Sequence, residues 1–183
     1  MPYEIHQKEG KSLRLAGIDP GLVDTGYGII DILENKVRLI EAGLIRTTKK
    51  ASLEFRLKEI YKGIALVLDE HKPSMVIVED LYTNYRYPRT AVLMGHARGV
   101  ILLAASHNGL AVISYPPTRV KKALTGTGRA TKNQIQRMVQ VRLELSNIPE
   151  PDHIADALAL ALCHCDCLAH EPYLNAMREG AET

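Results

Sequence analysis

Three acidic positions in this 183-residue chain fall where a strand or helix begins or ends: Asp19 in GIDPG, Glu79 in VIVED, and Asp156 in PDHIAD, where Asp152 and His153 precede it. Carboxylates held close together repel and raise one another's pKa unless a cation lies between them. Mg²⁺ or Mn²⁺, bound by a few carboxylates and taking further ligands from waters and a phosphodiester, is the arrangement used for two-metal phosphoryl transfer. Singly, each residue has an ordinary reading: Asp19 as a strand-end turn residue, Glu79 as a strand-end carboxylate, Asp152 as a helix cap. The chemistry requires them to converge. Residues three or four apart share a helix face, so either His153 or Asp152 can join Asp156 there.

Convergence depends on the elements. Ser12 to Asp19 reads as a strand ended by Pro20-Gly21, and residues 25–32 and 37–47 read as two more strands separated by Glu34-Asn35. Leu53, Leu57, Ile60, Tyr61, Ile64, Val67 and Leu68 then recur at helical spacing over residues 52–71, with Ser52 as N-cap. The apolar run 75–78 follows as a buried strand and ends at Glu79. Residues 90–107 predict an apolar helix, 110–115 a strand, 118–124 a short helix, 131–145 a basic helix and 152–168, rich in Ala and Leu, a final helix. The expectation is one mixed α/β domain over residues 12–169, with a flexible arm at 1–11 and a flexible tail at 170–183. If the first and fourth strands are neighbours, Asp19 and Glu79 stand side by side and the last helix can lay its first turns against them.

Composition narrows the partners. Hydrophobic residues at 46% and charged residues at 24% exclude wholesale disorder and a disulfide scaffold. Residues 1–80 carry 12 basic and 13 acidic side chains, residues 81–143 carry 10 basic and no acidic ones, and residues 144–183 carry 1 and 8. A basic middle of that length attracts polyanions, and release of condensed counterions drives the binding, so nucleic acid is the expected partner. Cys163, Cys165 and Cys167 are too close in sequence to staple distant parts of a fold, which fits a reducing compartment. With no apolar run of membrane-spanning length and no apolar stretch at the start, a cytoplasmic location is expected.

Read in order, LAGIDPGLVDTGYGII, EAGLIRT, VIVEDLY, GHARGV and HIADALALALCH resemble the RuvC Holliday junction resolvases over roughly residues 13 to 167. GIDPG alone is weak, because sugar kinases and actin-like ATPases use a similar turn; five motifs in order are specific. The resemblance implies an RNase H-like fold, a homodimer, and metal-dependent paired nicking of strands at a four-way DNA junction in recombination and repair. It also suggests a RuvA/RuvB branch-migration complex as partner.

Residues carry over individually from that resemblance. Asp19, Glu79 and Asp156 match metal-binding acids. The fourth ligand position, three residues before Asp156, is an aspartate in many relatives and His153 here, with Asp152 displaced by one. His153 keeps the i, i+3 geometry with Asp156, so the expected site is Asp19, Glu79, His153 and Asp156 around two Mg²⁺ or Mn²⁺ ions, with Asp152 better placed for capping. Because imidazole suits transition metals, Mn²⁺ is expected to be preferred. Tyr82 matches an aromatic that stacks on a base at the junction centre, and Arg86 and Arg89 interleave with Tyr82, Tyr85 and Tyr87. Lys121 and Lys132 match basic positions beside the active site, Lys132 as a catalytic candidate that steadies the phosphate. Arg119, Lys122, Arg129 and Arg137 are expected to hold the DNA backbone. The residues alone leave open a related nuclease acting on RNA or ordinary duplex, a junction binder without cleavage, and an actin-like phosphotransferase.

Overall fold

The computed structural model describes residues 12–33, 36–81 and 88–179. Three strands come first, β1 (Leu13–Asp19), β2 (Asp24–Leu33) and β3 (Lys36–Arg46), followed by helix α1 (Leu53–His71) and strand β4 (Met75–Glu79). Then come α2 (Pro88–His107), β5 (Ala111–Tyr115), α3 (Pro117–Thr125), α4 (Lys132–Arg142) and α5 (Asp152–Glu179). The strands form one sheet in the order β3-β2-β1-β4-β5. The opening meander is antiparallel, and the crossovers through α1 and α2 make β1/β4 and β4/β5 parallel. The expected mixed sheet, with the first and fourth strands adjacent, is thus observed.

Sequence patterning explains the positions. Central strands β1 and β4 are apolar on both faces and buried, whereas β3, at the edge, alternates exposed and half-buried residues. On one face Ile60, Ile64 and Leu68 of α1 and Ala97, Ile101, Ala104 and Ala105 of α2 pack on Ile18, Ile29 and Val78. On the other, Leu158, Leu160 and Leu162 of α5, with Ile135 and Val139 of α4, cover Leu15, Ile30 and Ile77. Each fully buried aliphatic side chain contributes about 1.5–3 kcal/mol, which makes the two layers the main source of stability.

Two local expectations change. Ser52 occupies the N-cap of α1 but makes no capping hydrogen bond. Its hydroxyl donates to Glu54 Oε1 at 2.6 Å and accepts no N–H of the first turn. Helix α5 continues to Glu179, well past the Leu168 end predicted from composition; Leu168, Ala169, Glu171, Leu174, Ala176, Met177 and Arg178 are good helix formers. The arm at 1–11 and the Glu34-Asn35 turn lie outside the described residues. No described helix is long and apolar enough to cross a membrane.

Candidate active site

The sheet delivers the first two acids. β1 and β4 run parallel with Ile18 opposite Val78, so Asp19 and Glu79, the next residue on each strand, end up one strand spacing apart, about 4.8 Å. Asp19 is only 6% exposed. Arg98 of α2 holds the end of β4 by donating to the Glu79 carbonyl at 3.2 Å and to Ser114 Oγ at 2.6 Å.

The third acid comes from α5, which reaches the sheet because two facing positions lack side chains. A Cβ built on Gly17 would stand 2.0 Å from the Ala157 carbonyl oxygen, and one on Gly26, the residue paired with Asp19, 2.0 Å from the His153 carbonyl oxygen. With glycine at both places the first turns of α5 lie directly on β1 and β2. His153 Nδ1 then donates to Asp19 Oδ2 at 2.7 Å, and Asp156 sits on the same helix face.

The electrostatics show how tightly the acids are coupled. Glu79 is pushed up to about 7 by burial first, then by the charges of Asp19 and Asp156, while Lys121 and Lys132 pull the other way. Asp156 is pushed up to about 6 by burial and by Asp19 and Asp152, against Lys132 and His153. The hydrogen bond to Asp19 raises His153 despite its partial burial. Three crowded carboxylates and an imidazole, opposed by two lysines, form a donor set that suits a divalent cation; two ions about 3.5–4 Å apart would need such a spread of donors.

The remaining expected residues divide into groups. Asp152 begins α5, but its carboxylate is ion-paired with Lys132 Nζ, which draws it below its usual range. Capping by Asp152 gives way to that ion pair, and His153 takes the place beside Asp19. Lys132, at the start of α4, feels Asp152 most and Asp156 and Asp19 as well. Thr131 fixes that helix start through a capping box with Gln134. Lys121, Lys122 and Arg129, on or just after α3, and Arg137 on α4 are half-buried or exposed. Arg119 is exposed, its guanidinium 4.8 Å above the Tyr115 ring and donating to Cys167 Sγ at 3.3 Å. Arg142 is tied to Asp166 at 2.7 Å, so it is occupied internally, as Arg98 is. Arg89 is exposed at the start of α2, whereas Tyr82, Tyr85, Arg86 and Tyr87 lie outside the described residues. The cysteines are free, and His164 beside them bonds the Tyr115 hydroxyl at 2.7 Å, a core contact.

The motif reading did not single out Gly17, Gly26 and Arg98. The glycines were legible in principle, since two occur on facing strands beside an acid, but only the approach of α5 shows their purpose.

The family model described as crossover junction endodeoxyribonuclease RuvC matches residues 15–164. A crossover junction endodeoxyribonuclease RuvC of Rhodopirellula baltica is 47% identical over 170 residues, 93% of this chain and 95% of that protein. The Thermus thermophilus RuvC structure is 35% identical, with a TM-score of 0.79 over 86% of this chain and 96% of that one. T. thermophilus RuvC in complex with Holliday junction substrate is 33% identical, with a TM-score of 0.78 over 87% and 96%. The mixed sheet with flanking helices is the RNase H-like architecture of these structures.

Proposed function

The chain belongs to the RuvC family of crossover junction endodeoxyribonucleases, and from that premise we propose how its residues nick the strands of a four-way DNA junction. The observation that carries the reading is the 2.7 Å contact of His153 with Asp19, with Glu79 and Asp156 close enough to Asp19 for its charge to raise both. These four side chains would hold two divalent ions. When bound there, the ions supply activation of a water and neutralisation of the charge that develops on the phosphate.

The chain's own groups do the rest. Glu79 and Asp156 must be deprotonated to accept a cation, so ion binding and proton release are linked. To serve as a ligand through Nδ1, His153 would give up its hydrogen bond to Asp19 and the proton that makes it. That imidazole favours Mn²⁺ over Mg²⁺ at equal concentration. Lys132 leaves Asp152 to meet a phosphate oxygen of the scissile strand, with Lys121 beside it. Arg89, Arg119, Lys122, Arg129 and Arg137 grip the backbone, while Tyr82 and Arg86 engage the opened centre. Two copies about a two-fold axis would set two such sites on opposing strands, leaving 5′-phosphate and 3′-hydroxyl ends. A RuvA/RuvB branch-migration complex as partner and a cytoplasmic place of work complete the proposal.

The test is cleavage of a synthetic mobile four-way junction with Mn²⁺ or Mg²⁺, beside a linear duplex and an RNA–DNA hybrid of the same sequence. Symmetric nicks confined to the junction, faster with Mn²⁺, are expected. Tight junction binding without cuts would make the chain a binder only, and cleavage of the hybrid would overturn the substrate assignment.

A further inference from the structure

On the opposite face of the sheet, Glu41 of β3 and Glu70 and His71 at the end of α1 bring one ligand atom each to within 4.8 Å of one another. Glu41 lies across from Ile29, whose side chain belongs to the α1/α2 layer, whereas Asp19 meets α5 on the other side. The two groups are therefore separate sites.

A second observation points to a ligand. His71 is 9% exposed, and its Nε2 is buried with no hydrogen-bond partner, although it lies 3.0 Å from Glu41 Oε2. The contact is close enough to require an explanation, yet its geometry is not that of a hydrogen bond. Glu41 is held in this position from behind: the Tyr27 hydroxyl donates to Oε1 at 2.6 Å and leaves Oε2 facing the imidazole. The His71 backbone is fixed as well, since Arg14 donates to its carbonyl at 2.9 Å. A carboxylate oriented by a second group and a buried imidazole nitrogen without a partner are the supporting features of metal ligands.

We propose that Glu41, Glu70 and His71 bind a divalent transition ion of the Zn²⁺ class and so clamp the end of α1 to the edge strand β3. Two carboxylates and a neutral imidazole bring two negative charges to the ion, and a mixed oxygen and nitrogen donor set favours Zn²⁺ or Co²⁺ over Mg²⁺. Ligand atoms about 2.0–2.2 Å from such an ion stand at most about 4 Å apart, and rotation of the exposed Glu70 side chain closes the remaining gap.

The experiment titrates the full-length chain with Co²⁺, following its visible absorption, and with Zn²⁺ by calorimetry, in wild type, Glu70→Gln, His71→Gln, Asp19→Asn, and Asp19→Asn combined with Glu70→Gln. Glu70→Gln alters an exposed side chain and keeps the test valid should His71→Gln disturb folding. The expected result is one Co²⁺, without sulfur-to-cobalt charge transfer, that remains when Asp19→Asn disables the nuclease site and that is bound about tenfold or more weakly when Glu70→Gln is added to Asp19→Asn. Unchanged affinity and stoichiometry on adding Glu70→Gln overturns the proposal. So does a spectrum dominated by sulfur ligation, which would assign the ion to the cysteines, or loss of all binding in Asp19→Asn, which would assign it to the nuclease site.

Discussion

Replacing Gly26 by alanine should disable the nuclease site without touching any of its side chains. The new Cβ would lie 2.0 Å from the His153 carbonyl oxygen, and real contacts of this kind essentially never fall below 3.0 Å. The obstacle is backbone, so no side chain can swing away; the first turn of α5 has to retreat by about 1 Å, carrying His153 from Asp19 and Asp156 from Glu79. A misplacement of that size costs about 100-fold in rate, equivalent to about 2.7 kcal/mol of transition-state stabilisation. Overpacking adds about 1–3 kcal/mol of lost stability. Single-turnover cleavage of a four-way junction at saturating metal measures the first quantity, and a denaturant melt the second. Junction affinity should change little, because the basic residues of α3 and α4 are not on the displaced turn. Gly99, exposed on α2 with nothing within 4 Å of an added Cβ, is the control, and Gly99→Ala should hold or raise stability. A folded Gly26→Ala protein that cleaves within threefold of wild type would refute the claim that close approach of α5 builds the site.

Other predictions follow from the same geometry. Glu79, lifted from 4.5 to about 7, binds a proton in the folded chain that the unfolded chain has shed; metal-free stability should fall by about 2–3 kcal/mol as pH rises through that interval. His153, also raised, adds stability at low pH that is lost on the same upward course, so the signs agree. Chemical denaturation in chelator at pH 5 and 8 checks this: Glu79→Gln should flatten the profile, and a flat wild-type profile would count against the coupling. His153→Asp should lower the ratio of Mn²⁺ to Mg²⁺ cleavage rates, and an unchanged ratio would remove His153 from the ligand set. Lys122→Ala and Arg129→Ala should each reduce the slope of log affinity against log salt for junction binding by about 0.9, as expected for one lost phosphate contact; an unchanged slope places that residue off the DNA path.

Much of this was legible in sequence because local signals and global topology agree. The switch from strand spacing to the helical spacing of Ile60, Ile64 and Leu68 marked α1, and the apolar run before Glu79 marked a central strand, which places its last residue beside the end of β1. The fourth ligand position was narrowed to Asp152 and His153 by helix geometry alone. Register with Asp156 favoured His153 in the sequence; what the structure adds is that Lys132, twenty residues away, takes the Asp152 carboxylate for itself. Such a partner is set by how α4 lies against α5, and no local spacing encodes it. Ser52 shows the same limit at short range: it stands at the N-cap its type predicted, yet its oxygen accepts no backbone N–H while its hydroxyl donates to Glu54. The cluster at Glu41, Glu70 and His71 left no motif because its residues meet across a strand and a helix end, joined only by register.

Helix α5 combines core and site, and the energetics of the two are opposed. Residues 157–163 are buried, and Leu158, Leu160 and Leu162 each contribute about 2 kcal/mol by leaving water. One turn earlier the same helix brings Asp156 and His153 against Asp19 and Glu79, where ionising Glu79 alone opposes folding by about 3 kcal/mol. Burial therefore wins, and the acids stay crowded before any cation arrives. That preorganisation has a consequence for core mutations. Leu158→Ala, at the end nearest the site, should lose about 2–5 kcal/mol and also weaken metal-dependent cleavage, because the force pressing His153 and Asp156 toward the sheet is reduced. Leu162→Ala, one turn further along, should cost similar stability with less effect on cleavage. Equal losses of cleavage in the two variants at matched stability would mean that the helix acts only as a rigid rod and that its near turns exert no local pressure on the site.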